Sequence, residues 1–109
     1  MKVLLDENLL KRLKFRLLER GYATSTARDM GWNGKKNGEL LGLLTFNGFD
    51  VLITSDKNLI HQQNLDRFNV TVFRLNIKAN RYPYIQPLLG QLFPLLDNLP
   101  EARFVEINP

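Results

Sequence analysis

Three acidic residues stand where carboxylates could act together. Asp6 ends the run Val3-Leu4-Leu5, Asp56 follows the run Val51-Leu52-Ile53-Thr54, and Glu39 immediately precedes Leu40 and Leu41. Continuous apolar runs of this length read as strands buried on both faces, as in a parallel sheet. In open α/β sheets the ligand crevice lies outside the carboxyl ends of the strands. Asp6 and Asp56 therefore fall where such folds keep their chemistry, provided the two strands are neighbours. Carboxylates gathered in one crevice repel each other and are costly without a cation. Oxygen donors of this kind suit Mg²⁺ or Mn²⁺, which keep several waters and bind phosphate oxygens. A cation so held activates water and neutralises charge developing on a phosphodiester. Glu7 would add a fourth carboxylate, and Asn8, Ser55 and Asn58 neutral oxygen contacts. The plain structural alternative is that these acids are caps, with Glu39 compensating a helix dipole.

The elements that must position these acids follow from periodicity. Val3–Leu5 leads into a helix over Asn8 to Arg20, with Leu9, Leu10, Leu13, Leu17 and Leu18 as its apolar stripe and Gly21 as its terminator. Tyr22 to Thr26 reads as a short strand. Arg28 to Lys36 is a polar loop with Gly31, Trp32 and Gly34. A second helix runs from Asn37 to about Asn47, burying Leu40, Leu41 and Leu44. Val51 to Thr54 is the central strand. Leu59 to Phe68 is a polar connection holding His61, and Val70 to Leu75 is another strand. Tyr82 to Asn98 reads as a last helix that Pro87 and Pro94 should kink or shorten. Ala102 to Ile107 is a final edge strand. Alternation of this kind predicts one α/β domain over 1–109, a parallel sheet with helices on both faces.

Bulk properties narrow the classes. The hydrophobic content of 44% fits a folded domain, and the absence of cysteine excludes disulfides and thiolate metal sites. Asp6 and Glu7 interrupt the first apolar run, so no signal-peptide pattern is present, and no stretch is apolar enough to span a bilayer. The expectation is a cytoplasmic protein without membrane contact. The net charge of +4 is modest, and by itself describes an ordinary soluble surface. Arg12, Arg16 and Arg20 line one face of the first helix, by default a solvated face, alternatively a contact with a polyanion or acidic partner. The lone His61 is by default a solvent-exposed side chain, and metal-dependent hydrolysis does not need it.

Several segments carry a family resemblance. LLDENL at Leu4 to Leu9, GWNGKKNGELL at Gly31 to Leu41, DVLITSDKNLIHQQNL at Asp50 to Leu65, and Asn80-Arg81 ahead of the last helix resemble the short PIN-like domains of bacteria. They cover most of the chain in order. The resemblance implies a three-layer α/β/α sandwich, with a mainly parallel sheet of about five strands and an acidic Mg²⁺- or Mn²⁺-dependent ribonuclease site. It matches Asp6 to the first aspartate of that site, Glu39 to its helix glutamate and Asp56 to its later aspartate. Many PIN enzymes carry a further acid where this chain has Asn58. The resemblance also implies the toxin half of a toxin–antitoxin pair, with an RNA substrate, a cognate antitoxin protein and a homodimeric assembly. Single-stranded RNA is the expected substrate, because a duplex hides its bases. Arg12, Arg16, Lys35, Lys36 and Arg81 are the candidate contacts to its backbone.

Two other readings compete. Asn58 in place of an acid favours a catalytically inactive PIN-like domain that binds RNA or protein. A phosphoacceptor receiver domain also places acids after its first strand and an aspartate after a central one. That class normally has a lysine following its last strand, whereas the last strand here holds Arg103 and no lysine.

Overall fold

The structure, a computed structural model, describes residues 1–35, 37–58 and 65–109. Lys36, His61 and most of the polar connection predicted over Leu59 to Phe68 lie outside the described residues. Five strands form one sheet: β1 (Lys2–Leu5), β2 (Ala23–Thr26), β3 (Val51–Thr54), β4 (Thr71–Leu75) and β5 (Phe104–Ile107). Every neighbouring pair is parallel, and the order is β2-β1-β3-β4-β5. The predicted neighbours β1 and β3 are paired, with Leu5 opposite Ile53. β1 connects to β2 on one side and the chain then returns to β3 on the other. This reversal of strand order is the place where doubly wound sheets open a crevice.

The alternation within β1 explains the layering. Val3 and Leu5 point to one face, where they join Leu13 and Leu17 of α1 (Lys11–Glu19). That face is completed by Ile85 of α3 (Tyr82–Ile85) and by Leu89, Leu92 and Leu96 of α4 (Leu89–Asp97). Leu4 points to the opposite face with Leu52 and Val72, under Leu40, Leu41 and Leu44 of α2 (Asn37–Phe46). The result is a three-layer α/β/α sandwich. Burying each of these leucines contributes roughly 1.5–3 kcal/mol.

The helices differ from the sequence reading for local reasons. The first helix starts at Lys11, not Asn8, because Asp6 O accepts from Leu9 N at 3.1 Å in a tight turn. The Leu10 N–H, an orphan donor at the helix start, is then capped by Asn80 Oδ1 at 2.9 Å, a partner seventy residues away. Leu18, expected in the buried stripe, is 41% exposed. The final helix is divided at Pro87, which lies in a 3₁₀ turn over Gln86–Leu88 between α3 and α4. Proline has no N–H for the helical ladder. Pro94 is accommodated inside α4.

The arginine face of α1 has its partners within the chain. The Arg12 guanidinium lies 3.9 Å from the centre of the Tyr82 ring, and Arg16 Nη1 donates to Tyr82 Oη at 2.7 Å. Arg20 stacks 4.3 Å from the Phe93 ring and pairs with Asp97 at 3.0 Å. The stripe therefore ties α1 to the C-terminal helices by stacking and hydrogen bonds.

Candidate active site

Asp6 is held as an extra rung of the sheet. Its N–H donates to Ile53 O at 3.0 Å, carrying the β1–β3 ladder one residue beyond Leu5. That rung aims its side chain at the end of β3. Oδ2 accepts from the Thr54 hydroxyl at 2.7 Å, and Oδ1 accepts from the Glu7 N–H at 2.8 Å. Thr54 is fully buried. Its hydroxyl oxygen also accepts from the Asp56 N–H at 3.0 Å, while Asp56 Oδ1 accepts from the Asn58 N–H at 2.9 Å. One threonine hydroxyl thus joins the two strand-end aspartates. Asn58 takes part through its backbone, closing the turn that fixes Asp56.

The electrostatics of Asp6 are those of a charge without enough water. Burial pushes its carboxyl above the ordinary aspartate value, and the Glu7 and Asp56 charges push the same way. The bonds from Thr54 and Glu7 offset part of that rise. A divalent cation would relieve the same penalty. Mg²⁺ is commonly bound by one or two carboxylates together with water and substrate phosphates. The all-oxygen donors of Asp6 and Asp56, one of them desolvated, fit Mg²⁺ or Mn²⁺ on this chemistry.

Glu39 is engaged with a neighbour on the protein surface. Its side chain is 62% exposed and its carboxylate lies 3.6 Å from Lys35 Nζ, one helical turn earlier. Among the described residues no three acidic or histidine side chains converge tightly enough to hold a metal. Glu7 is also engaged elsewhere: its Oε2 accepts from the Gly34 N–H at 2.9 Å. Gly34 has φ +83°, a left-handed backbone that suits glycine and lets the loop turn back toward β1. Glu7 therefore anchors the loop after β2. Ser55 is partly buried and Asn8 is exposed.

A crevice of about 340 Å³ opens beside Asp6, over the ends of β1 and β2. Asp6, Glu7, Asn8, Lys11, Arg28 and Asn33 are among the residues that line it. Asp56 lies outside this lining. Of the predicted backbone contacts, Arg12 and Arg16 are engaged with Tyr82 and Lys35 with Glu39, whereas Arg81 is exposed at the start of α3.

Sequence reasoning missed Thr54, Lys11 and Arg28. The signal for Thr54 was a hydroxyl in an otherwise apolar strand. The signal for Arg28 was its position just past β2, since the strand-end rule applies to β2 as much as to β1 and β3. It also missed a buried cation: Arg74 lies opposite Thr54 in the β3–β4 register and pairs with Glu106 of β5 at 2.6 Å.

No family model matches the sequence, and neither a curated protein nor a solved structure is found similar to it.

Proposed function

We infer that this chain is a divalent-cation-dependent ribonuclease acting on single-stranded RNA. One observation carries the reading: two strand-end aspartates at the strand-order reversal share one buried threonine hydroxyl. Asp6 and Asp56 would hold Mg²⁺ or Mn²⁺. When bound, the ion supplies Lewis acidity and neutralises charge at the phosphodiester. Thr54 orients the Asp6 carboxylate and pins the Asp56 backbone. Glu7 holds the loop that forms one side of the crevice. Glu39 serves as a ligand or as the base that orients water only after leaving Lys35. The resemblance to short PIN-like domains supports a toxin role, with a cognate antitoxin protein and a homodimer as its partners. The test is cleavage of a single-stranded RNA by purified protein with Mn²⁺, its arrest by chelator, and its loss in Asp6→Ala, Glu39→Ala and Asp56→Ala. Cutting by all three variants at the parent's rate would sink the reading.

A second reading is favoured by the Lys35–Glu39 pair and by Asn58: a non-catalytic domain of the same architecture that binds RNA or protein. Mn²⁺ binding without cleavage of any RNA would decide for it. The strand order is also that of receiver-type doubly wound sheets. Transfer of a phosphoryl group from acetyl phosphate to Asp56, read by mass, would establish that third class.

A further inference from the structure

We propose that the crevice beside Asp6 is a nucleotide subsite, in which Lys11 and Arg28 hold a phosphate and Asn8 and Asn33 contact the attached nucleoside. The proposal rests on the ribonuclease reading and adds to it the place of the substrate strand.

The charged groups of the crevice divide into those that already have partners and those that do not. Its acids are engaged by internal donors. Asp6 accepts from Thr54 and from Glu7 N–H, and Glu7 accepts from Gly34 N–H. Asp29, at the rim, accepts from Lys14 Nζ at 2.7 Å and from Thr26 N–H at 2.9 Å. Its cations are in the opposite condition. Lys11 and Arg28 are exposed, and neither has an ion-pair partner among the described residues. The crevice therefore offers unused positive donors to a ligand, even though its formal charge includes three acids. An anion with several acceptor oxygens meets that pattern, and a guanidinium and an ammonium lining one crevice are suited to phosphate.

Size and polar lining carry the step from phosphate to nucleotide. Small-molecule sites span roughly 300–1,000 Å³. At about 340 Å³ the crevice matches one nucleotide rather than a longer stretch of strand. Asn8 and Asn33 stand exposed in its lining, and each amide presents a donor and an acceptor. Base edges and ribose hydroxyls are recognised by groups of this kind. The subsite adjoins Asp6 directly, so a nucleotide bound there would set its flanking phosphodiester beside the aspartate pair.

The test is titration of ¹⁵N-labelled protein with a nucleoside 5′-monophosphate in Mg²⁺, which contains no phosphodiester to cut. The amides of Asn8, Lys11, Arg28 and Asn33 should shift together. Inorganic phosphate, the second arm, should move Lys11 and Arg28 and leave Asn33 in place. Equal shifts with both ligands would reduce the site to a phosphate site and overturn the nucleotide assignment. The exposed double variant Lys11→Gln, Arg28→Gln should weaken nucleotide binding at least about tenfold, the effect of losing a single charge-assisted bond. Binding at these amides without RNA cleavage would refute the hydrolase reading and leave the subsite standing. Cleavage of RNA by the double variant with the parent's KM, together with unmoved amides, would refute the subsite and leave the hydrolase reading standing.

Discussion

Replacing Thr54 by valine removes one hydroxyl and little volume, and the structure sets the cost. Thr54 is 0% exposed, so water does not take the place of the lost group. Its bond to Asp6 Oδ2, at 2.7 Å, is charge-assisted. Hydrogen bonds to charged groups contribute about 1.5–3 kcal/mol. The Asp56 N–H, 3.0 Å from the same oxygen, also loses its acceptor. Asp56 is only partly buried, so that loss falls near the lower end of the range for an unsatisfied donor, about 1 kcal/mol. The sum is about 3 kcal/mol, or about 12 °C in Tm for a domain of this size. Thr54→Ser keeps the hydroxyl and deletes one methyl, which costs about 1 kcal/mol. Urea unfolding at neutral pH should rank parent, serine and valine in that order. The valine deficit should shrink as pH falls through the folded-state pKa of Asp6, which burial holds above 3.8, because the hydroxyl stabilises the ionised form of Asp6. A Thr54→Val loss under about 0.5 kcal/mol, the range of ordinary surface substitutions, would refute the shared-hydroxyl argument.

Asp6→Asn should make the metal-free protein more stable at neutral pH. The folded-state pKa of Asp6 lies above 3.8, so its contribution is full below that value and is lost as pH rises through the folded pKa. Asparagine stays neutral throughout, and the two proteins should converge in stability on the acid side; a less stable variant at pH 7 would show Asp6 to be a structural cap. Asp29 behaves oppositely. The bond from Lys14 holds its carboxyl down to about 2, so its contribution is present above pH 3.8 and is lost as pH falls through about 2. Asp29→Asn should cost less than about 1 kcal/mol at pH 7, since the Lys14–Asp29 pair is partly solvent-exposed, and the cost should fade as pH falls through about 2, as read by thermal melts across that range.

The elements that carried chemistry were legible in the sequence because their signals are local. Val3–Leu5 is apolar and then stops at an acid, and Val51–Thr54 repeats the plan, so both strands and their adjacency followed from pattern and topology. The helix start at Lys11 was not legible, because its cap is Asn80, supplied by a distant loop. The arginine stripe was read as a solvated face or an external contact. Its partners, Tyr82, Phe93 and Asp97, lie at the other end of the chain, and periodicity carries no information about them. Glu39 shows the same limit at the site. Its place in the first turn of α2 was predicted, but its pairing with Lys35 depends on side-chain geometry. The crevice beside Asp6 is not legible from β1 and β3 alone, because β2 supplies part of its lining. The end of β2 brings Thr26 and Arg28 beside the first aspartate.

The central claim is that Asp6 and Asp56 form one cation site. Crystals of the protein soaked in Mn²⁺ and measured for anomalous scattering test it most directly. A single strong peak is expected at about 2.1 Å from carboxylate oxygens of both Asp6 and Asp56, with the Thr54 hydroxyl still bonded to Asp6. The same soak of Asp6→Asn crystals should lose the peak. Well-ordered Asp6 and Asp56 side chains with no manganese between them, or a peak elsewhere on the molecule, would contradict the account.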